Sequence, residues 1–119
     1  MSFKQRNYPR IDLLTPVTLT VNDRVVEGAV CLNISMGGMC IEADASVEEQ
    51  QNGVVEFDYE IYDEKTHFKG EFMIRWIKPG DPDKKEIQFG LQFTYYDSTH
   101  LSNLARIIIT QISKNESND

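Results

Sequence analysis

Three stretches between Val17 and Tyr95 carry apolar residues at every second position, and this two-residue period constrains the fold more than any other feature. Val17, Leu19 and Val21 alternate with Thr18 and Thr20. Val55, Phe57, Tyr59 and Ile61 alternate with Glu56, Asp58, Glu60 and Tyr62, and Ile87, Phe89, Leu91, Phe93 and Tyr95 repeat the pattern. Successive side chains of a strand point to opposite faces, so each run puts one face in a core and the other in water. Further strands are expected from Arg24 to Leu32, around Met39-Cys40-Ile41, and from Phe68 to Ile77. Asn22-Asp23 suits a tight hairpin turn. Pro79-Gly80-Asp81-Pro82 ends a strand, because two prolines and a glycine cannot continue a central one. Six short strands with brief connections predict a mainly β chain folded as an antiparallel β-barrel, in which closure removes exposed edges.

After Tyr96 the period changes. Asp97, Ser98 or Thr99 can cap a helix, and Leu101, Leu104, Ala105, Ile108 and Ile112 recur at helical spacing. A C-terminal α-helix packed on the barrel is expected, followed by a polar ending. The predicted organisation is a flexible N-terminal arm over 1–12, a barrel with its helix over 13–113, and a disordered tail over 114–119.

The 119 residues, 40% hydrophobic and 10% aromatic, suffice for one compact core. Acids outnumber bases by 19 to 12, which disfavours binding to a nucleic acid polymer or an anionic membrane. An anionic ligand therefore needs a local basic cluster. Cys31 and Cys40 lack the paired spacing of a zinc site and read as buried free thiols, as suits a reducing cytoplasm. The segment Met1-Ser2-Phe3-Lys4-Gln5-Arg6 has no apolar signal core, and no apolar run reaches bilayer length, so a cytoplasmic protein without membrane insertion is expected. His67 and His100 lie in no metal or triad pattern, and the nine acids from Glu42 to Glu64 mostly mark a solvated sheet face. No catalytic residue, metal or cofactor is expected, and the chain reads as a binding protein, not an enzyme.

Two short segments could carry ligand chemistry. The first ten residues hold Lys4, Arg6 and Arg10 with no acid, and Pro9 disfavours a helix through the arginines. A guanidinium pairs bidentately with phosphate and also stacks on a purine, which lysine does less well. Alone, two arginines in a tail are ordinary solvated charges. The second segment is Asn33-Ile34-Ser35-Met36-Gly37-Gly38. Asn33 offers an amide, Ser35 a hydroxyl, and Gly38 a backbone able to take positive φ and to be approached closely. Alone, this is what any strand connection contains.

Together, Arg6-x-x-x-Arg10 and Asn33-x-Ser35-x-x-Gly38 resemble the paired signature of the PilZ family, RxxxR followed by (D/N)xSxxG. Phe89-Gly90-Leu91-Gln92-Phe93 resembles the family's late strand, and the helix after Asp97 its C-terminal helix. The resemblance implies a six-stranded barrel that binds the second messenger cyclic di-GMP. Arg6 and Arg10 would hold phosphates and stack on guanine, while Asn33, Ser35 and the Gly38 backbone would contact guanine edges and a phosphate. Gln5 precedes Arg6 where relatives that bind a stacked ligand pair often carry another arginine, which implies one ligand per protein. Trp76 lies where some members present a residue to the base, and it reads equally as a core aromatic. The implied role is a receptor whose N-terminal arm rearranges toward an unidentified protein effector. The alternative is a PilZ-like interaction module that binds no ligand.

Overall fold

Asn22 and Asp23 both adopt left-handed backbone conformations, φ 50° and 66°, the geometry of a two-residue type I′ hairpin turn. Tyr62 and Asp63 do the same at φ 50° and 67°. These turns organise a computed structural model that describes residues 9–80 and 82–117. The elements are β1 (Ile11–Pro16), β2 (Thr18–Val21), β3 (Arg24–Val26), β4 (Val30–Ser35), β5 (Gly38–Ala43), β6 (Asn52–Ile61), β7 (Glu64–Pro79), β8 (Ile87–Tyr95) and α1 (Ser98–Ser117).

Eight strands, not the six expected from sequence, form one antiparallel half-barrel sheet in the order β1-β4-β5-β8-β7-β6-β2-β3. The extra two arise because the first hairpin is bent in both arms. The strand expected through Val21 breaks at Val17, after Pro16, whose nitrogen cannot donate. The strand expected from Arg24 breaks before Val30, where Gly28 takes φ 69°. Val17 N donates to Ala29 O at 3.0 Å and holds the two bends together. The outer half, β2 with β3, then pairs with β6, while the inner half, β1 with β4, pairs with β5. The two ends of the sheet are thus joined through one bent hairpin.

The second hairpin also departs from expectation. Tyr62 leaves the β6 alternation to sit in the turn, 94% exposed, and β7 starts at Glu64 and runs for 16 residues. Its inward Phe68, Phe72 and Ile74 are fully buried with Leu19, Ile34, Met39, Ile41 and Phe89. Phe68 meets Phe57, Phe93 and Tyr96 at ring distances of 5.9, 5.2 and 5.5 Å, in the tilted and edge-on arrangements aromatic pairs prefer.

Asp97 is the helix cap: its Oδ1 accepts from His100 N at 2.9 Å, and its carbonyl from Leu101 N at 2.8 Å. Leu104, Ile107 and Ile108 form the buried stripe of α1, whereas Leu101 is 48% exposed and Ala105 only partly covered. The helix runs through Ser117, so residues 114–117 belong to it and not to a tail. Likewise Ile11 and Asp12 belong to β1 and not to an arm. Polar ties seat α1 on the sheet: Asn103 Nδ2 donates to His67 O at 2.8 Å, Gln111 Nε2 to Asp12 O at 3.3 Å, and Tyr59 Oη to Gln111 Oε1 at 2.6 Å. Among the described residues, no helix is long and apolar enough to cross a membrane.

Candidate ligand-binding face

Strict alternation would send Asn33 into the core behind Cys31, and Trp76 behind Phe72 and Ile74. Two register shifts prevent this, one between Cys31 and Asn33 in β4, the other between Ile74 and Trp76 in β7. Each is a β-bulge, where an extra residue reverses the facing of everything beyond it. Cys31 and Ile34 are therefore both buried, with Asn33 turned to the outer face between them. Ile74 stays inward while Trp76 comes out half-buried, outside the core cluster.

The pairing then draws a line across five strands. Asp12 of β1 lies opposite Asn33 of β4, Asn33 opposite Cys40 of β5, Cys40 opposite Gly90 of β8, and Gly90 opposite Trp76 of β7. Residues directly opposite share a face. Cys40 is only 4% exposed yet stands apart from the core cluster, so it forms the floor of this outer face. At Gly90 a Cβ would fall 2.2 Å from Trp76 Nε1, which means the indole rests directly on the glycine backbone. Lys78 Nζ lies 5.5 Å from the centroid of that indole.

The electrostatics at the floor are mixed. Burial pushes the Cys40 thiol above its ordinary range; the positive charges of Arg10 and Lys78 pull it back, and Glu42 pushes it up. Arg10, exposed and immediately ahead of β1, therefore acts on the middle strand of this face. Burial drives the Cys31 thiol up to about 12. Both cysteines are free and buried.

Asn33 Oδ1 is buried and has no hydrogen-bond partner among the described residues. An unpaired buried acceptor costs about 1–3 kcal/mol, so it calls for an explanation. Ser35 and Gly38 already have structural work. Ser35 Oγ accepts from Gly37 N at 3.1 Å and closes the β4–β5 turn. Gly38 does not take the positive φ expected of it; among the described glycines only Gly28 does. Gly38 is needed because a Cβ there would lie 2.0 Å from the Leu91 carbonyl oxygen. Phe93 N donates to Gly37 O at 2.9 Å and Tyr96 Oη to Met36 O at 2.7 Å, so the turn is pinned before any ligand arrives.

Of the residues singled out from sequence, the structure brings Asn33 and Trp76 to one face, with Ser35 and Gly38 in the adjoining turn, while Arg10, just ahead of β1, lines a groove with Asp12 and with Ile112 and Asn115 of α1. Arg6 and Gln5 lie outside the described residues. The sequence reading missed Cys40, Gly90 and Lys78 as members of this face. Gly90 alone had a visible signal, a glycine between Phe89 and Leu91 in an otherwise apolar strand.

The other polar cluster is on the exposed β6–β7 surface, where His67 Nδ1 lies 2.7 Å from Asp58 Oδ1 and Nε2 lies 3.1 Å from Glu56 Oε1. His100 Nδ1 accepts from Lys69 N at 3.1 Å. Among the described residues, no group of His, Cys, Asp and Glu could hold a metal ion.

The family model described as the PilZ domain matches residues 4–110. No curated protein matches the sequence. Among solved structures, the Bacillus subtilis inhibitor of motility MotI/DgrA aligns with a TM-score of 0.74 at 18% identity, covering 92% of this chain and 53% of that one. The chain thus spans about half the length of MotI/DgrA. The PilZ domain of YcgR from Escherichia coli, solved with c-di-GMP, aligns with a TM-score of 0.75 at 15% identity over 96% of both chains. The PilZ domain of CeSA from a cellulose synthesizing bacterium gives 0.55 at 15% identity, over 86% of this chain and 96% of that one. At such identities the structural likeness speaks for the fold.

Proposed function

This chain belongs to the PilZ domain family, and from that premise we propose that it is a cytoplasmic cyclic di-GMP receptor, a binding module and not an enzyme. Arg6 and Arg10 hold the phosphates and stack on guanine, and the Asn33-x-Ser35-x-x-Gly38 turn reads the ligand from the barrel side. The observation that supports this best is the Oδ1 of Asn33, unsatisfied among the described residues and held on the same face as Trp76. Guanine presents adjacent N1–H and N2–H donors, where adenine presents a lone pair and a C–H. An acceptor fixed by a bulge and without a partner among the described residues discriminates between the two.

The energies are consistent with micromolar affinity. Ordering residues 6–10 costs about 1–2 kcal/mol each, roughly 5–10 in all. Four charge-assisted hydrogen bonds return roughly 6–12 kcal/mol. The arginines do little more than offset their own ordering, so the net of about 8 kcal/mol that a micromolar complex needs comes from stacking and the pinned turn.

Calorimetric titration is expected to give saturable heat with cyclic di-GMP, one ligand per chain, and roughly 30-fold weaker binding of cyclic di-AMP, the equivalent of about 2 kcal/mol. Asn33→Ala is expected to erase most of that preference. Absence of heat with cyclic di-GMP would leave the chain as an interaction module only.

The signal passes through the N-terminal arm, which folds over the ligand and changes the surface offered to a protein effector. Backbone relaxation at residues 4–10 should slow when ligand is added; identical relaxation in both states would rule out the arm as the moving part.

A further inference from the structure

Arg10 immediately precedes β1 and so lies at the β1 side of the face. A cyclic dinucleotide carries two phosphodiesters, one on either side of its ring. The face is five strands wide, which at about 4.8 Å per strand is roughly 19 Å. Among the described motif residues, none supplies a cation from the β7 side.

Lys78 is placed to do so. The bulge that turns Trp76 outward also sets Ile77 inward opposite Phe89 and Lys78 outward opposite Gln88. The ammonium stays near the indole, 5.5 Å from its centroid. Gln88, the cross-strand neighbour of Lys78, donates its amide to Glu42 Oε2 at 3.2 Å, and that oxygen lies 3.4 Å from where a Cβ on Gly80 would stand, so the carboxylate approaches the end of β7 while remaining held by Gln88. Among the described residues, no carboxylate lies within ion-pair distance of Lys78. On a chain of net charge −7, an ammonium with no acid in ion-pair distance among the described residues, beside an outward tryptophan, is an anion site in waiting.

We propose that Lys78 is a ligand-binding residue, holding a phosphodiester on the β7 side of the face while Trp76 beside it carries the base. Resting on the receptor reading above, this makes β7 the second wall of the site. Gly90 is its positioning residue, because only a glycine lets the indole lie on the strand.

The test uses the full chain and cyclic di-GMP itself. Calorimetry at low and high salt compares wild type with Lys78→Gln, Lys78→Arg and Lys114→Gln. The last removes a lysine on α1, whose ammonium sits 4.7 Å over Tyr59. Lys78→Gln should bind roughly tenfold more weakly, with a flatter salt dependence. Lys78→Arg should stay within about threefold of wild type because it keeps the charge. Lys114→Gln should be unchanged. The single tryptophan of the chain should still change its fluorescence when Lys78→Gln is saturated, since the base continues to dock. Wild-type affinity and salt dependence in Lys78→Gln would overturn the role of Lys78 and leave the receptor reading intact. So would equal losses in the Gln variants at 78 and 114, which mark a general charge effect. No heat from wild type would overturn both.

Discussion

Replacing Arg10 by alanine is expected to weaken cyclic di-GMP binding by about 100-fold while leaving the denaturation midpoint where it is. The size follows from two charge-assisted hydrogen bonds to phosphate at the lower end of their range, about 1.5 kcal/mol each. Arg10 is exposed, so its loss removes little packing, and surface substitutions usually change stability by less than about 0.5 kcal/mol. Arg10→Lys should recover only part of the loss, since a point charge replaces a planar fork that both pairs and stacks. The measurement is calorimetry beside a thermal melt. Equal heats from wild type and Arg10→Ala would remove this residue from the site, even though its charge reaches Cys40.

Gly38→Ala should instead be a stability mutation. The new methyl would lie 2.0 Å from the Leu91 carbonyl oxygen and 3.1 Å from its carbon, both backbone atoms that no rotamer change can move aside. Relief requires β5 and β8 to part at the Gly38–Gln92 and Met39–Leu91 pairs. Overpacking of this kind costs about 1–3 kcal/mol and more where backbone must shift, so a loss of about 3 kcal/mol is expected in urea unfolding. A variant as stable as wild type would show that the two strands do not depend on this approach. Any binding defect in Gly38→Ala therefore reports a disturbed sheet, and Asn33→Ala is the variant that reports ligand contact. The motif glycine acts first as part of the fold.

The strands themselves were largely legible. The alternations around Val55 and Phe89, the Asn22-Asp23 turn and the helix after Asp97 depend on local preferences that neighbours in sequence express. What was not legible were the bends. Pro16 and Gly28 are ordinary residues in isolation; only the pairing of β2 with β6 and of β4 with β5 makes their positions the corner of a sheet. The helix stripe was read rightly at Leu104, Ile108 and Ile112, but its first turn was misjudged for a similar reason. Leu101 fits the period, but the cap at Asp97 and the seat on β7 decide which turn is covered, and Ile107 takes the buried place.

By its sequence alone the chain was committed to alternating strands, a capped C-terminal helix, an acidic surface, and two spaced motifs that resemble those of PilZ domains, because period, charge and motif spacing are sums over near neighbours. Which side of the sheet Asn33 and Trp76 face, and whether Arg10 and Lys78 reach the same thiol, was left to tertiary structure. A bulge exists only between two paired strands, and one extra residue in the pairing exchanges inside for outside.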